Sequence, residues 1–444
     1  MGMAATNNIT KPNVLYRKKD SMKYVITMCL LFAVLIFGRA ANNTLFYAFA
    51  GISLAVFAFS SVSHCFSFLL FLLPFSLILK TNVDGMSFFT ILFFLVVLKM
   101  IINKKTIHGS VLISVMLFAA YCILFSGLGQ ITTIITMVSG MVMIYYLRNI
   151  DIDVNESIIA FFMGITGASV LALLKNQFPI INGFVSDLMF RLNEGEYAIR
   201  FAGLQGNPNY YTLDITILLA ALIVMVYGKV APRFYAIYLV VLSIFGLMSV
   251  SKSFLVCWVL LLIIWFLLSM RQGVGKVFKF LMIFLIGGAV VYYFAYDAIS
   301  SYLFRFAEDS GGTLGDITTG RTDIWKVYID EILNDFKILL FGNGLNTVGM
   351  RGKGTHNTFL ESIFSLGIFG TTLFLISLKT CMGKIITKYI MWVPIIMLLF
   401  RMFAIGILTY DSIWLYFGLI VILSNQVKEK NVNEENVLCK KQKR

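Results

Sequence analysis

Between residues 200 and 361 the chain holds a histidine, two arginines and a lysine in settings where such side chains do chemistry. His356 stands in Thr355-His356-Asn357-Thr358-Phe359-Leu360-Glu361, just ahead of an apolar run, and is one of only three histidines in 444 residues. An imidazole there can act as acid, base or hydrogen-bond donor. Glu361 could serve the same reaction, but Thr358-x-x-Glu361 also fits a helix capping box. Arg321 lies in Gly320-Arg321-Thr322-Asp323-Ile324-Trp325. Thr322 is a candidate helix N-cap, so Arg321 would sit just before a helix N-terminus, a natural place for phosphate. Arg200 opens Arg200-Phe201-Ala202-Gly203-Leu204-Gln205-Gly206-Asn207-Pro208-Asn209, whose glycines permit close backbone approach and whose Asn-Pro marks a turn. Lys252, in Ser251-Lys252-Ser253, either binds phosphate or snorkels from an apolar run. Each residue also has an ordinary reading: Arg200 and Arg321 as headgroup anchors, His356 as a polar loop residue.

The elements that must position these groups are set by composition. Hydrophobic residues make up 59% and charged residues 13% of the chain, and the mean hydropathy is +0.87. A soluble domain carries about a quarter charged residues, so this chain has more apolar surface than one core could bury. The apolar runs are continuous rather than alternating, which argues against a transmembrane β-barrel. The expected fold is all-α, a polytopic transmembrane bundle of about 12–14 spans.

The runs fall at about 24–37, 42–62, 64–79, 86–102, 110–127, 130–147, 157–174, 212–228, 234–250, 254–270, 277–296, 357–378, 385–408 and 411–425. The 64–79 run is short and holds Pro74, as a re-entrant piece would. Lys11, Arg17, Lys18, Lys19 and Lys23 precede the first run, which reads as an uncleaved helix with a cytoplasmic N-terminus. Alternation then gathers Lys104/Lys105, Arg148, Lys229/Arg233, Arg271/Lys276/Lys279, Lys379/Lys384/Lys388 and the basic C-terminal tail on the same side.

The expected organisation is a cytoplasmic tail over 1–22, membrane helices over 23–174, a first outer loop over 175–211 and central helices over 212–296. A large outer loop over 297–356, C-terminal helices over 357–425 and a cytoplasmic basic tail over 426–444 complete it. In the large loop Trp325, Tyr328, Ile329, Ile332, Leu333 and Phe336 recur at helical spacing, as in a helix lying along the membrane surface. Gly342-Asn343-Gly344 reads as a turn, and Gly367 and Gly370 as close helix packing.

Several functions are disfavoured. The net charge of +14 follows from basic loops, and no basic-aromatic stripe suggests nucleic acid. No P-loop is present, and Asp151-Ile152-Asp153 lies in a loop too short for a sugar-nucleotide domain. Cys29, Cys65, Cys122 and Cys257 lie in or beside apolar runs, Cys381 in a basic loop and Cys439 in the tail, with no metal or disulfide pattern. The charges within apolar runs, Lys99, Asp214, Lys252 and Arg401, mostly stand near run ends where snorkelling explains them. A transporter is not demanded.

Taken in order, Arg-x-x-Gly…Asn-Pro-Asn, Ser-Lys-Ser, Gly-Arg-Thr-x-x-Trp, Gly-x-Gly and His-Asn-x-x-Leu-x-x-x-x-x-x-Gly-x-x-Gly resemble the O-antigen polymerase and ligase superfamily over about residues 196–375. The resemblance implies a glycosyltransferase of the bacterial cytoplasmic membrane, acting on its outer face on glycans carried by undecaprenyl pyrophosphate. By that resemblance Arg200 and Arg321 hold the pyrophosphate, and His356 serves the acceptor hydroxyl. Lys252 stands where the family often has arginine, and lacks its bidentate fork. Asn207, Asn209, Asp323, Asn357 and Glu361 are the further expected substrate contacts. The expected activity is polymerisation of O-antigen or capsule repeat units without metal or cofactor. The alternatives are a ligase that transfers finished glycan to lipid A-core, and a non-enzymatic lipid-linked oligosaccharide flippase or exporter. Expected partners are the lipid-linked oligosaccharide, membrane lipids, a flippase and a chain-length regulator.

Overall fold

The computed structural model describes residues 43–80, 87–103, 106–185, 188–193, 196–309, 321–345, 354–383 and 389–442, with scattered residues between 26 and 38. The N-terminal tail, Lys104/Lys105, Gly320 and Lys384/Lys388 lie outside the described residues. The chain divides into two units, residues 1–60 and 61–444. The first contributes helix α1 (Asn43–Phe59).

The second unit is nearly all helical. Its first half contains α2 (Val62–Leu72), α3 (Phe88–Asn103), α4 (Gly109–Ser126), α5 (Ile131–Leu147), α6 (Val154–Leu173) and the short α7 (Pro179–Phe184). A two-stranded antiparallel hairpin, β1 (Leu188–Asn193) and β2 (Glu196–Arg200), pairs Leu188 with Arg200. Then come α8 (Pro208–Tyr227), α9 (Tyr235–Met248), α10 (Lys252–Gln272), α11 (Val274–Phe294), α12 (Tyr296–Asp309), α13 (Arg321–Asn334) and α14 (Phe336–Phe341). The chain closes with α15 (Thr358–Met382), α16 (Trp392–Met402) and α17 (Asp411–Gln442).

Among the described residues, seven helices are long and apolar enough to cross a membrane by length and composition. They are α4, α5 with its leading turn, α6, α8, α10, α11 and α15. Shorter apolar helices occupy most of the remaining predicted runs. The helical membrane bundle is thus supported, with fewer full-length candidate spans than the 12–14 expected.

Helix α8 is the hub: α6, α9, α10, α16 and α17 all pack on it. Every side chain from Tyr211 to Met225 is buried. A helix that is apolar all round belongs in the middle of its bundle.

The short 64–79 run is an 11-residue helix ending in a 3-10 turn at Leu73–Phe75, because Pro74 lacks the N–H that would continue the helix. Three expectations are corrected. The 385–408 run forms helix only to Met402, and residues 403–410 are non-helical. The first loop includes a β-hairpin, so the unit is not purely α. Cys381 lies buried in the last turn of α15 rather than in a loop. The C-terminal tail continues as helix to Gln442.

Helix α15 is itself broken. Gly367 has φ 64 and ψ −177, so the helical ladder stops there and restarts. The break leaves carbonyls at Phe364, Ser365 and Leu366 without intrahelical partners, and three donors take them up. Asn343 N–H donates to Phe364 O (2.8 Å), Gly344 N–H to Ser365 O (3.0 Å) and Tyr121 O–H to Leu366 O (2.8 Å). The Gly342-Asn343-Gly344 segment fits because a Cβ on Gly342 would collide with the Ser365 carbonyl, and one on Gly367 with the Leu340 carbonyl. Gly370 leaves room for the Tyr121 ring, so close packing accounts for it as expected.

Candidate functional site

His356 is held by its two neighbours. Thr355 Oγ1 donates to Asn357 O (2.9 Å) and accepts from Asn357 N–H (3.2 Å), closing a small ring across the histidine. His356 is thereby held at φ 49, in the left-handed region that histidine visits more readily than most residues. Such strain costs about 1–3 kcal/mol and clusters at functional sites. Trp325 Nε1–H donates to Thr355 O (2.9 Å), so α13 grips the same turn from the other side.

The next residue, Asn357, is the true N-cap of α15. Its side-chain oxygen accepts from Phe359 N–H (3.0 Å) and Leu360 N–H (3.2 Å). The capping box expected of Thr358 and Glu361 is therefore corrected. Thr358 Oγ1 instead donates to Ile405 O (2.6 Å) and accepts from Ile407 N–H (3.1 Å). Glu361 Oε2 accepts from Leu408 N–H at 3.5 Å and lies against Gly406. Both side chains reach across to the non-helical 403–410 segment, supplying partners for its backbone.

His356 and Glu361 face a cavity of about 540 Å3. Tyr210, Tyr328, Thr409, Tyr410 and Asp411 complete its polar and aromatic wall. Tyr210 O–H donates to Gly406 O (2.8 Å), and the Tyr210 and Tyr410 rings lie 5.1 Å apart. Asp411 Oδ2 accepts from Thr90 O–H (2.7 Å). Behind this wall lies a second cavity of about 660 Å3, sharing Tyr210, Thr409, Tyr410 and Asp411. Its other lining groups are mostly hydroxyls and amides, among them Ser76, Thr132, Thr133, Thr136, Gln205 and Asn207. Both cavities fall in the size range of small-molecule sites, about 300–1,000 Å3.

Arg321 is the first described residue of α13, within the helix rather than before it, and Thr322 follows inside the first turn. Its charge is felt at His356, whose imidazole is held below the ordinary histidine value, first by desolvation and then by Arg321. Desolvation and a nearby cation both favour the neutral ring. His356 is thus neutral and able to accept a proton at neutral pH.

Arg401 was expected to snorkel, and this is corrected: it is fully buried. Its guanidinium donates to Ser253 Oγ (2.5 Å), Asn209 O (2.6 Å) and Thr212 Oγ1 (2.7 Å). It ties the last turn of α16 to the starts of α8 and α10, and lies within the electrostatic reach of Arg321. Asp214, also expected near a run end, is fully buried and accepts from Gln205 and Tyr416.

The remaining predicted residues are distributed around this centre. Asn207 is the N-cap of α8, its oxygen accepting from Asn209 N–H (2.9 Å), and it lines the second cavity. Asn209 Oδ1 accepts from Ser251 Oγ (2.8 Å). Arg200, at the end of β2, donates from Nε to Ser249 O (3.3 Å). Lys252 is the first residue of α10 and half-buried; Val250, two residues earlier, has φ 47, costly for a β-branched residue. Arg200 and Lys252 do not line either cavity. Asp323 is exposed on α13.

Tyr210, Thr409, Tyr410 and Asp411 were not singled out from the sequence, although Tyr210 adjoins the Asn-Pro-Asn turn. The Asp151-Ile152-Asp153 pair is structural at Asp153, which caps α6 through Asn155 N–H (3.0 Å). Among the described residues no group of three His, Cys, Asp or Glu side chains comes together as a metal site. The chain matches no protein-family model, no curated protein and no solved structure.

Proposed function

We propose that this protein is a membrane glycosyltransferase that polymerises surface-polysaccharide repeat units. It would move a growing glycan from undecaprenyl pyrophosphate to the next lipid-linked unit on the outer face of a bacterial cytoplasmic membrane. The observation that carries the reading is the strained, neutral His356 on the wall of a cavity that also holds Glu361, with Arg321 acting on its charge. The second cavity behind Tyr210 and Tyr410 adds support, because polymerisation brings two bulky glycans together at one reaction centre.

In the reaction the acceptor hydroxyl oxygen attacks the anomeric carbon of the donor sugar. A carbon–oxygen glycosidic bond forms, the bond from that carbon to the phosphate oxygen breaks, and the electron pair leaves with undecaprenyl pyrophosphate. His356 takes the hydroxyl proton, or passes it to Glu361. Arg321 stabilises the charge growing on the leaving pyrophosphate. Arg200, which lines neither cavity, supports the site through the turn it holds at Ser249, and Arg401 positions the starts of α8 and α10.

The test is the gel profile of surface glycan from a strain lacking the gene, with its lipid-linked intermediates. Single repeat units alone support the polymerase. Long chains retained on undecaprenyl pyrophosphate identify a ligase instead. An unchanged profile removes the reading altogether.

A further inference from the structure

At the opposite end of the unit from His356 lies a cavity of about 830 Å3 between α4, α5, α15 and α17. Three basic or titratable residues face it: Arg148, Lys379 and His108. The other lining groups are neutral, including Ser110, Asn149, Thr380 and Asn425, and no carboxylate stands among them. Cations around an empty volume with no carboxylate among the described lining residues favour an anion.

The Arg148 side chain is held in place. Its Nη1 donates to Thr380 O (3.2 Å) and Cys381 O (3.1 Å), and its guanidinium lies 6.0 Å from the Tyr145 ring centroid. Gly383, at φ 64, passes so close that a Cβ there would collide with the guanidinium. The two carbonyls occupy one nitrogen, and no described residue takes the donors on the other two. The Lys379 side chain has no hydrogen bond or ion pair among the described residues.

The surroundings say what kind of anion fits. Helices α4 and α15 run antiparallel here, with Ser377 Oγ bonded to Ser114 O (2.8 Å) and Phe118 packed on Phe374. On the outside of this pair the apolar side chains are bare: Leu112 is 50% exposed, Met116 60% and Ile376 50%. Ile376 lines the cavity as well. A polar, cationic chamber therefore opens beside an apolar track along two membrane helices.

We propose that this cavity binds the phosphate headgroup of an anionic phospholipid, whose acyl chains lie along the exposed faces of α4 and α15. The site is independent of the glycan chemistry proposed above. Arg148 would clamp the phosphate with its remaining donors and Lys379 would supply a second charge.

The test uses the full chain in nanodiscs of phosphatidylglycerol or of phosphatidylcholine, and in detergent with inorganic phosphate as a separate arm. Thermal midpoint and retained phospholipid are measured. Phosphatidylglycerol is expected to raise the midpoint and to co-purify, whereas phosphatidylcholine and inorganic phosphate are not. Lys379→Ala should weaken retention about fivefold, the value of one basic group near an anionic lipid surface, and Lys379→Arg should restore it. Lys379 is the residue of choice because its side chain has no hydrogen bond or ion pair among the described residues, whereas Arg148 also holds the Thr380 and Cys381 carbonyls. Equal stabilisation by phosphatidylcholine would overturn the charge recognition. Equal stabilisation by inorganic phosphate would overturn the lipid occupant. Unchanged retention in Lys379→Ala would remove the site.

Discussion

The two ends of the larger unit are built on opposite plans. At the basic end, helices stop in ordinary ways: α5 ends beside Arg148, and α15 ends at Gly383 with its last carbonyls bonded to that arginine. At the cavity end helices are interrupted. α15 breaks at Gly367, α16 gives way to the non-helical 403–410 segment, and His356 and Val250 sit at positive φ. Interrupted helices leave unpaired backbone groups, which in a membrane must be satisfied by protein or by a water-filled cavity. Thr358, Glu361, Asn343 and Tyr121 meet that demand here. The difference teaches that regular helix ends suffice for anchoring charge, whereas the proposed site lies among broken helices with dedicated partners to support them.

The sharpest way to break this comparison is to remove one side chain from each end. His356→Ala should lower glycan assembly by about 10²–10⁴-fold, the range for a general base, with protein still present in the membrane. The matched Arg148→Ala should leave the glycan profile unchanged. Equal loss from both would mean that the ends are not functionally distinct.

Restoring regularity at the break is the next largest perturbation. Gly367→Ala places a Cβ at φ 64 and into the Leu340 carbonyl, costing more than about 1 kcal/mol. The expected outcome is a lower thermal midpoint and less protein recovered from membranes, whereas Gly129→Ala, where a Cβ meets open space, should be silent.

A pH profile sharpens the electrostatic side. A base works when neutral, so activity should fall only below the ordinary histidine value of about 6.5, because desolvation and Arg321 both hold the His356 value down. Arg321→Gln removes one of these causes, so the acid limb of its residual activity should move to higher pH. A limb that stays in place would separate Arg321 from His356. The smallest expected effect is on stability at the basic end. Arg148→Ala removes a cation from a helix C-terminus, worth about 0.3–1 kcal/mol, and should lower the thermal midpoint by a few degrees at most.

Much of the helical framework was legible in the sequence because continuous apolar runs leave few alternatives. The run at about 212–228 is the clearest case: it became α8, which starts four residues earlier at Pro208 and is buried on all sides from Tyr211 to Met225. The breaks were less legible. Gly367 was readable as a packing glycine, but only the approach of residues 340–344 from a distant segment explains why the helix stops there. The 385–408 run looked continuous because residues 403–408 are largely apolar. They leave the helix because Thr358 and Glu361 offer their backbone other partners. The predicted apolar face of α13 splits in two: Tyr328 and Ile332 pack on Phe364, while Ile329 and Leu333 stay exposed, as does Phe336, which begins α14 beyond the break at Asp335. His356, Glu361 and Asn207 could be singled out by type and position and do line the cavities. Tyr410 and Asp411 could not, since their importance comes from long-range contact with Tyr210 and Thr90.

The hub helix also sets a schedule for biogenesis. Asp214 in α8 bonds to Tyr416, 202 positions later, and Thr212 accepts from Arg401, 189 positions later. At about 5–20 residues per second of synthesis, α8 waits roughly 10–40 s for these partners. Over that interval the Asp214 carboxyl has Gln205, nine positions earlier, but not Tyr416, the partner that completes its buried site. The final helices therefore act as the lock that commits the bundle, and a chain truncated before Arg401 should be recognised by membrane quality control rather than accumulate as a partial bundle.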